Sequence, residues 1–146
     1  MALEIERKFL VKDNSFKDLA VKTVEIAQGY LSRDKQRTVR VRVAAHKAWI
    51  TIKGLTHGAT RPEFEYEIPV DDARRLLELC VPPVIVKTRH IVPYHGLTWE
   101  VDEFHGHRQE LVVAEVELPS ESQAVDLPPF VGAEVTHDAR YYNANL

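Results

Sequence analysis

Apolar and polar residues alternate with a period of two along most of the chain. Residues 37–43, for example, read RTVRVRV, with arginine alternating with valine. This period is typical of a β-strand with two unlike faces, because successive side chains point to opposite sides. The pattern predicts eight strands, at residues 4–12, 24–31, 38–45, 48–53, 63–70, 85–91, 98–104 and 111–118.

Helical spacing is clear in one place only. Ala73, Leu76, Leu77 and Cys80 recur at helical intervals after two aspartates that can cap a helix, and Pro82 follows. Weaker patterns predict short helices at residues 14–19 and 120–125. A parallel sheet needs a crossover at nearly every connection. One helix among eight strands therefore predicts an α+β protein that is mainly antiparallel β, built as a sheet or a barrel.

Composition limits the class of protein. The 146 residues, 45% hydrophobic and 28% charged, fit a single globular domain spanning residues 1–146. A net charge of −3 argues against non-specific nucleic-acid binding. The single cysteine excludes an internal disulfide framework. No apolar run is long enough for a membrane helix, and the N-terminal segment carries Glu4 and Glu6 where a signal peptide would be apolar. We therefore expect a soluble, cytoplasmic protein with no membrane or nucleic-acid partner.

The charged residues of the predicted strands share faces. Arg40 and Arg42 lie opposite Val41, and Glu115 and Glu117 share another strand face. For any one strand, a polar face in water is the simpler interpretation. The whole set favours another one, because these faces hold few Ser, Thr or Gln, keep like signs together and nearly balance in charge. The acids are Glu4, Glu6, Glu63, Glu65, Glu67, Glu100, Asp102, Glu115 and Glu117, and the bases are Lys8, Arg40, Arg42, Lys53, Arg61, Lys87 and Arg89.

A sheet that closed with these faces inward would form a channel with acidic and basic walls. Charges in a narrow interior need partners or ligands. Carboxylates on neighbouring strands suit hard divalent cations, whereas Arg and Lys suit phosphate. A metal-bound polyphosphate is a ligand that uses both walls at once.

The N-terminal segment Glu4-Ile5-Glu6-Arg7-Lys8 resembles the ExExK signature of the CYTH domain, within the triphosphate tunnel metalloenzymes. The resemblance continues in order through QGYLS, RTVRVRV, TIKG, EFEYEIPV, KTRHIVPY, TWEVDEFHG, LVVAEVEL and DARYYNANL. It implies an eight-stranded closed antiparallel barrel around a charged tunnel, with a few short helices outside. It also implies a triphosphate-bearing small-molecule substrate bound with Mg²⁺ or Mn²⁺.

The resemblance further implies roles for particular residues. Metal would be held by Glu4, Glu6, Asp102, Glu115 and Glu117. Catalysis would rest on Glu4, Glu6, Lys8, Glu115 and Glu117. Substrate would be bound by Lys8, Arg40, Arg42, Lys53, Glu63, Glu65, Lys87, Arg89 and Arg140.

Among members of this family, the chain is most similar to short bacterial inorganic triphosphatases. The expected reaction is therefore metal-dependent hydrolysis of inorganic triphosphate to pyrophosphate and phosphate. The alternatives are a class IV adenylate cyclase, a thiamine triphosphatase and a non-catalytic polyphosphate-binding module. The oligomeric state stays open, with a homodimer among the options.

Overall fold

A computed structural model describes residues 3–146 of the chain. The strands are β1 (Leu3–Val11), β2 (Lys22–Ser32), β3 (Thr38–Ala44), β4 (Lys47–Lys53), β5 (Thr60–Ile68), β6 (Val81–Tyr94), β7 (Leu97–Phe104), β8 (Val112–Glu117) and β9 (Val131–Glu134). The α-helices are α1 (Phe16–Leu19) and α2 (Val70–Leu79), and 3₁₀ turns lie at Gly106–Arg108, Ala139–Tyr141 and Asn143–Asn145.

Eight antiparallel strands close into a barrel. Their order is β5-β4-β3-β2-β6-β7-β8-β1, and β1 pairs back onto β5. This closing pairing joins Leu3 to Pro62 and Ile5 to Thr60. Farther along the same strand, β9 pairs with β1 between Phe9 and Val11. The α+β assignment and the closed eight-stranded barrel with a few short helices outside are thus confirmed.

Most of the predicted elements are present, although several boundaries shift, most of all in β6, which runs over Val81–Tyr94 where residues 85–91 were predicted, and three further differences stand out. Residues 120–125 do not form a helix, because a single turn closes there, from the Gln123 amide to the Ser120 carbonyl, and residues 123–125 have no regular structure. Val70 begins α2 instead of ending β5, because Pro69 stands at the helix N-cap in an extended conformation. Strand β9, only four residues long, was not predicted. None of the helices in residues 3–146 is long and apolar enough to span a membrane.

The apolar faces of the strands point outward and are covered from outside. Helix α2 packs on β2, β3 and β4 through a cluster that includes Val41, Ala48 and Ala73. The C-terminal end of α2 lies so close to β2 that a Cβ on Gly29 would meet the Cβ of Cys80, the residue after the helix, at 2.8 Å. Glycine is therefore required there for the helix to approach the sheet.

A second outer cluster covers the strands on the other side of the barrel. It joins Phe9, Trp99 and Val101 of the strands to Phe16 of α1 and Phe130 of a loop. The ring centroids of Phe9 and Trp99 are 5.5 Å apart, and those of Phe16 and Phe130 are 5.9 Å apart. Most of the hydrophobic core of this protein thus lies around the barrel rather than inside it.

A third apolar cluster fills one end of the barrel interior. It is formed by Tyr30, Ile85, Phe104, Leu111, Val113 and Leu146. Tyr141 and Ala144 pack against it, so residues 138–146, here called the C-terminal segment, close this end. The charged inward positions lie beyond this cluster, toward the open end.

The packing on the outside of the barrel predicts that a Phe→Ala substitution lowers the free energy of unfolding by different amounts at two sites. Phe16, the first residue of α1, is fully buried, whereas Phe64 is 43% exposed on the outer face of β5. We expect Phe16→Ala to lower the free energy of unfolding by about 3–5 kcal/mol, because it leaves a cavity in a packed cluster. We expect Phe64→Ala to cost less than about 1.5 kcal/mol. Urea denaturation followed by circular dichroism would measure both, and equal losses would contradict this account of the outer core.

Candidate functional site

A cavity of about 470 Å³ occupies the open part of the barrel interior. Of the residues predicted from the sequence as site residues, those on its wall are Glu4, Glu6, Lys8, Arg40, Arg42, Lys53, Glu63, Glu65, Arg89, Glu115 and Glu117. They come from six strands, because every second residue of a strand points into the barrel. The structure therefore brings eleven of the fourteen predicted residues together in one central cavity.

Three predicted residues lie elsewhere. Lys87 is fully buried and Asp102 is 2% exposed, and both lie behind the cavity wall. Arg140 lies outside the cavity altogether. Its side chain is 80% exposed, and its guanidinium pairs with Asp138 at 2.6 Å.

Glu4 is the centre of one ion-pair group. Lys53 Nζ lies 2.8 Å from its carboxylate and Arg61 Nε lies 3.3 Å from it. Burial acts to raise the pKa of Glu4, but the charge of Lys53 and the hydrogen bonds from Glu63 and Lys53 outweigh it and lower the pKa to about 2. The pKa of Glu63 is raised to about 7, first by burial, then by its hydrogen bond to Glu4 and by the negative charge of Glu4. Glu4 is therefore an ionised carboxylate whose charge is already compensated by the protein.

Lys8 and Glu115 form a second pair across β1 and β8. They are direct register partners, and Lys8 Nζ lies 3.3 Å from Glu115 Oε1. The same ammonium group donates to the carbonyl of Tyr141 at 3.0 Å. Burial raises the pKa of Glu115, but Lys8 outweighs it and the pKa is lowered. Lys8 thus connects the cavity wall to the C-terminal segment.

Asp102 holds two bases in place from behind the wall. Its carboxylate accepts from Arg89 Nε at 2.8 Å and from Arg89 Nη2 at 2.9 Å, and Lys87 Nζ lies 2.7 Å away. Burial raises the pKa of Asp102, but these two cations outweigh it and lower the pKa. Both carboxylate oxygens are engaged, so in this structure Asp102 acts as a counter-charge for Lys87 and Arg89.

Two carboxylates on the wall have no basic partner. Glu6 and Glu117 are direct register partners across β1 and β8, and within residues 3–146 no Lys, Arg or His nitrogen lies within 4.0 Å of either carboxylate. Burial, followed by repulsion from Glu115 and Glu4, raises the pKa of Glu6 to about 8. Burial and the charges of Glu4 and Glu100 likewise raise the pKa of Glu117. The pair forms an acidic spot that no ion pair from the described residues compensates.

Arg42 is the opposite case. Within the part of the chain that the structure describes, no carboxylate oxygen lies within 4.0 Å of its guanidinium. Burial, followed by repulsion from Arg40 and Arg89, lowers the pKa of Arg42 to about 9. One cavity therefore contains an uncompensated acidic pair and an uncompensated guanidinium.

Comparison with known proteins assigns this architecture to a family. The model of the CYTH domain matches residues 2–143. The chain belongs to the CYTH domain family.

Two curated CYTH relatives cover the chain almost completely. An inorganic triphosphatase of Acetivibrio thermocellus is 50% identical over 147 residues, which cover 100% of this chain and 94% of that protein. An inorganic triphosphatase of Nitrosomonas europaea is 37% identical over 148 residues, covering 98% and 95%. A crystal structure of an inorganic triphosphatase superposes with a TM-score of 0.70 at 34% identity, covering 97% of this chain and 95% of that one.

The wall of this CYTH domain also contains residues that the charge pattern does not single out. Thr38 and Thr51 lie on the same strand faces as Arg40 and Lys53, so the two-residue period was a signal that could have found them. Further wall residues come from the β2–β3 turn and the C-terminal end of the chain: Arg33, Lys35, Thr136, Tyr142, Asn143 and Asn145. These lie outside the strands, where period-two alternation carries no information.

The raised pKa of Glu6 predicts how stability depends on pH in the CYTH domain without added metal. With a folded-state pKa of about 8, against 4.5 ordinarily, Glu6 favours the fold when protonated, and this contribution is lost as the pH rises toward 8. In EDTA, Glu6→Gln should therefore raise Tm by about 5 °C at pH 9 and by less than about 2 °C at pH 5.

The matched control is Glu78→Gln, which makes the same change of charge on the exposed face of α2. Differential scanning calorimetry at the two pH values would compare the variants. An equal effect of Glu6→Gln at both would show that burial and the neighbouring carboxylates do not raise the pKa of Glu6.

Proposed function

We propose that the protein hydrolyses inorganic triphosphate to pyrophosphate and phosphate, with a divalent cation, Mg²⁺ or Mn²⁺, bound in the cavity. The observation that carries this proposal is the combination of two uncompensated carboxylates, Glu6 and Glu117, with the uncompensated guanidinium of Arg42 on one cavity wall. A bound cation would compensate the charge of the two carboxylates, and a bound polyanion would compensate the charge of the guanidinium. The two curated relatives support the choice of inorganic triphosphate.

The residues present fit a hard divalent cation by their chemistry. Glu6, Glu117 and Glu115 offer carboxylate oxygens, which Mg²⁺ and Mn²⁺ prefer. Residues 3–146 hold no group of three or more His, Cys, Asp or Glu side chains already arranged to coordinate a metal ion. Glu6 and Glu117 are free of ion pairs to the described residues, whereas Glu4 and Glu115 would have to share their oxygens with Lys53 and Lys8. We therefore assign the metal first to Glu6 and Glu117, with Glu4 and Glu115 beside them. When bound, the cation would neutralise charge on the phosphate oxygens and lower the pKa of a bound water.

The basic wall would hold the phosphate groups. Arg42 offers two terminal nitrogens for bidentate contacts, and Arg40, Lys8, Lys53 and Arg89 line the same space. Most of these bases are paired with carboxylates, so a bound triphosphate would compete with Glu4, Glu65 or Glu115 for them. The competition favours a strongly charged anion over a weakly charged one.

Hydrolysis needs one water and a leaving group in line with it. The water oxygen attacks the terminal phosphorus, the bridging P–O bond breaks and pyrophosphate departs. A wall carboxylate that accepts a hydrogen bond from that water would orient it, and the basic residues would hold the charge on the transferring phosphoryl group. No side chain needs to form a covalent bond with the substrate.

The position of the aromatic residues on the cavity wall favours an inorganic substrate over a nucleotide. Tyr30 packs in the apolar cluster at the end of the barrel closed by the C-terminal segment, and Tyr142 belongs to that segment. The other described residues that line the cavity include no Phe, Tyr or Trp on which a base could stack. Trp99 is fully buried in the outer cluster, away from the cavity.

Loss of the unpaired carboxylates should abolish turnover. We expect Glu6→Gln and Glu117→Gln each to lower kcat/KM for inorganic triphosphate by about 100-fold or more, because each removes one carboxylate oxygen and its negative charge from the proposed metal site. Glu78→Gln on α2 should keep kcat/KM within about twofold. Phosphate release at saturating Mg²⁺ and Mn²⁺ would measure this. Near-normal activity in both cavity variants would contradict the assignment of the metal to Glu6 and Glu117.

The proposal as a whole is tested by product analysis. The purified protein would be mixed with inorganic triphosphate, ATP or thiamine triphosphate, with Mg²⁺, Mn²⁺ or EDTA, and the products separated by ion chromatography. Metal-dependent release of phosphate and pyrophosphate from inorganic triphosphate, with ATP a poor substrate, would support it. Cyclic AMP and pyrophosphate from ATP would replace it with the cyclase. Binding of triphosphate with no product under any metal would replace it with a non-catalytic module.

A further inference from the structure

Arg42 differs from the other bases of the barrel interior in what it contacts. Six of the seven bases predicted to face inward lie within 4.0 Å of a carboxylate: Lys8, Arg40, Lys53, Arg61, Lys87 and Arg89. The guanidinium of Arg42 instead donates its Nε hydrogen to a neutral amide, the Oε1 of Gln28, at 2.8 Å. The positive charge of Arg42 is therefore not neutralised by an ion pair with a carboxylate of the described residues.

Gln28 stands directly beside Arg42 in the sheet. The two residues are register partners across β2 and β3, and Gln28 is fully buried behind the cavity wall. The orientation of its amide follows from Arg42, because a guanidinium Nε carries a hydrogen and must face an acceptor. The Nε2 of Gln28 has no hydrogen-bond partner among the described residues. Burying a polar group in this way costs free energy, so packing alone does not explain a glutamine at this position.

We propose that Gln28 is a positioning residue that orients Arg42 toward the triphosphate while leaving its charge available. Holding Nε at the wall directs the remaining two nitrogens, Nη1 and Nη2, away from the tether, where they can contact two oxygens of one phosphate group. A neutral acceptor is essential to this role. A carboxylate in the same place would form an ion pair with Arg42 and compete with the substrate.

This inference rests on the proposed function, since it concerns the same site and the same anion. It assigns to Gln28 a role in affinity for the phosphate chain rather than in the bond-breaking step. The expected signature is therefore a change in KM with little change in kcat.

The isosteric variant Gln28→Glu separates this role from a packing role. It keeps the size and shape of the side chain and still accepts from Arg42 Nε, but adds a negative charge. We expect KM for inorganic triphosphate to rise about tenfold, kcat to stay within about threefold, and Tm not to fall. Gln109→Glu, the same substitution at an exposed position, should leave KM within about twofold.

Two further measurements separate an effect on binding through Arg42 from other effects of the substitution. Titration calorimetry of inorganic triphosphate in EDTA should show the same loss of affinity in Gln28→Glu without turnover. In an Arg42→Met background, Gln28→Glu should produce no additional rise in KM, because its effect passes through Arg42. If Gln28→Glu does not fold, Gln28→Met, which removes the acceptor and keeps the length, should raise KM by at least about threefold.

The outcomes distinguish the two proposals. Unchanged KM and affinity in Gln28→Glu, or a further tenfold rise in the Arg42→Met background, would overturn the role of Gln28 and leave the proposed function standing. Failure of the unsubstituted protein to bind or hydrolyse inorganic triphosphate would overturn the proposed function, and the role of Gln28 would fall with it.

Discussion

The structure depends on the need to compensate charges that the sheet encloses. Closing eight strands with their charged faces inward removes many ionisable groups from bulk water, and this is unfavourable unless each group finds a partner. The register of the strands supplies most of those partners. Lys8 lies opposite Glu115 across β1 and β8, and Arg89 lies opposite Asp102 across β6 and β7. The groups left over, Glu6, Glu117 and Arg42, are the ones that a bound metal and anion would satisfy.

The inward direction of the charged faces also explains the arrangement of the apolar residues. Since the inward faces are mostly charged, the apolar faces of the strands point outward. Other parts of the chain must pack on these faces to remove them from water. Helix α1, helix α2 and the loop containing Phe130 do so. The one apolar region inside is the cluster at the end closed by Leu146 and its neighbours. The helices in this protein are therefore outer cover for a site that the strands build.

Much of the fold was predictable from the sequence, because a period of two identifies both a strand and its faces. The period alone placed Glu115 and Glu117, for example, on one strand face, and the charge pattern of the whole set of strands favoured an inward direction for it. The period does not report depth, however, and so it did not separate Lys87 and Asp102, which lie behind the wall, from Arg89, which lines the cavity. It did not find Gln28 either, since a lone amide carries no charge pattern. Its importance follows from one contact that only the register of β2 and β3 creates.

Strand β1 closes the barrel through a short seam, and this has a kinetic consequence. Leu3–Ile5 pair with residues 60–62, whereas Glu6–Leu10 pair with residues 113–117. Both contacts span long stretches of chain, and contacts of high sequence separation form slowly. Until they form, β1, β5 and β8 expose unpaired edges, which are prone to pair with other molecules. The carboxylates of all three strands, together with Arg7 and Lys8 of β1 and Arg61 of β5, oppose such pairing. The charges of the cavity wall would thus also protect the unclosed sheet from aggregation while the chain folds.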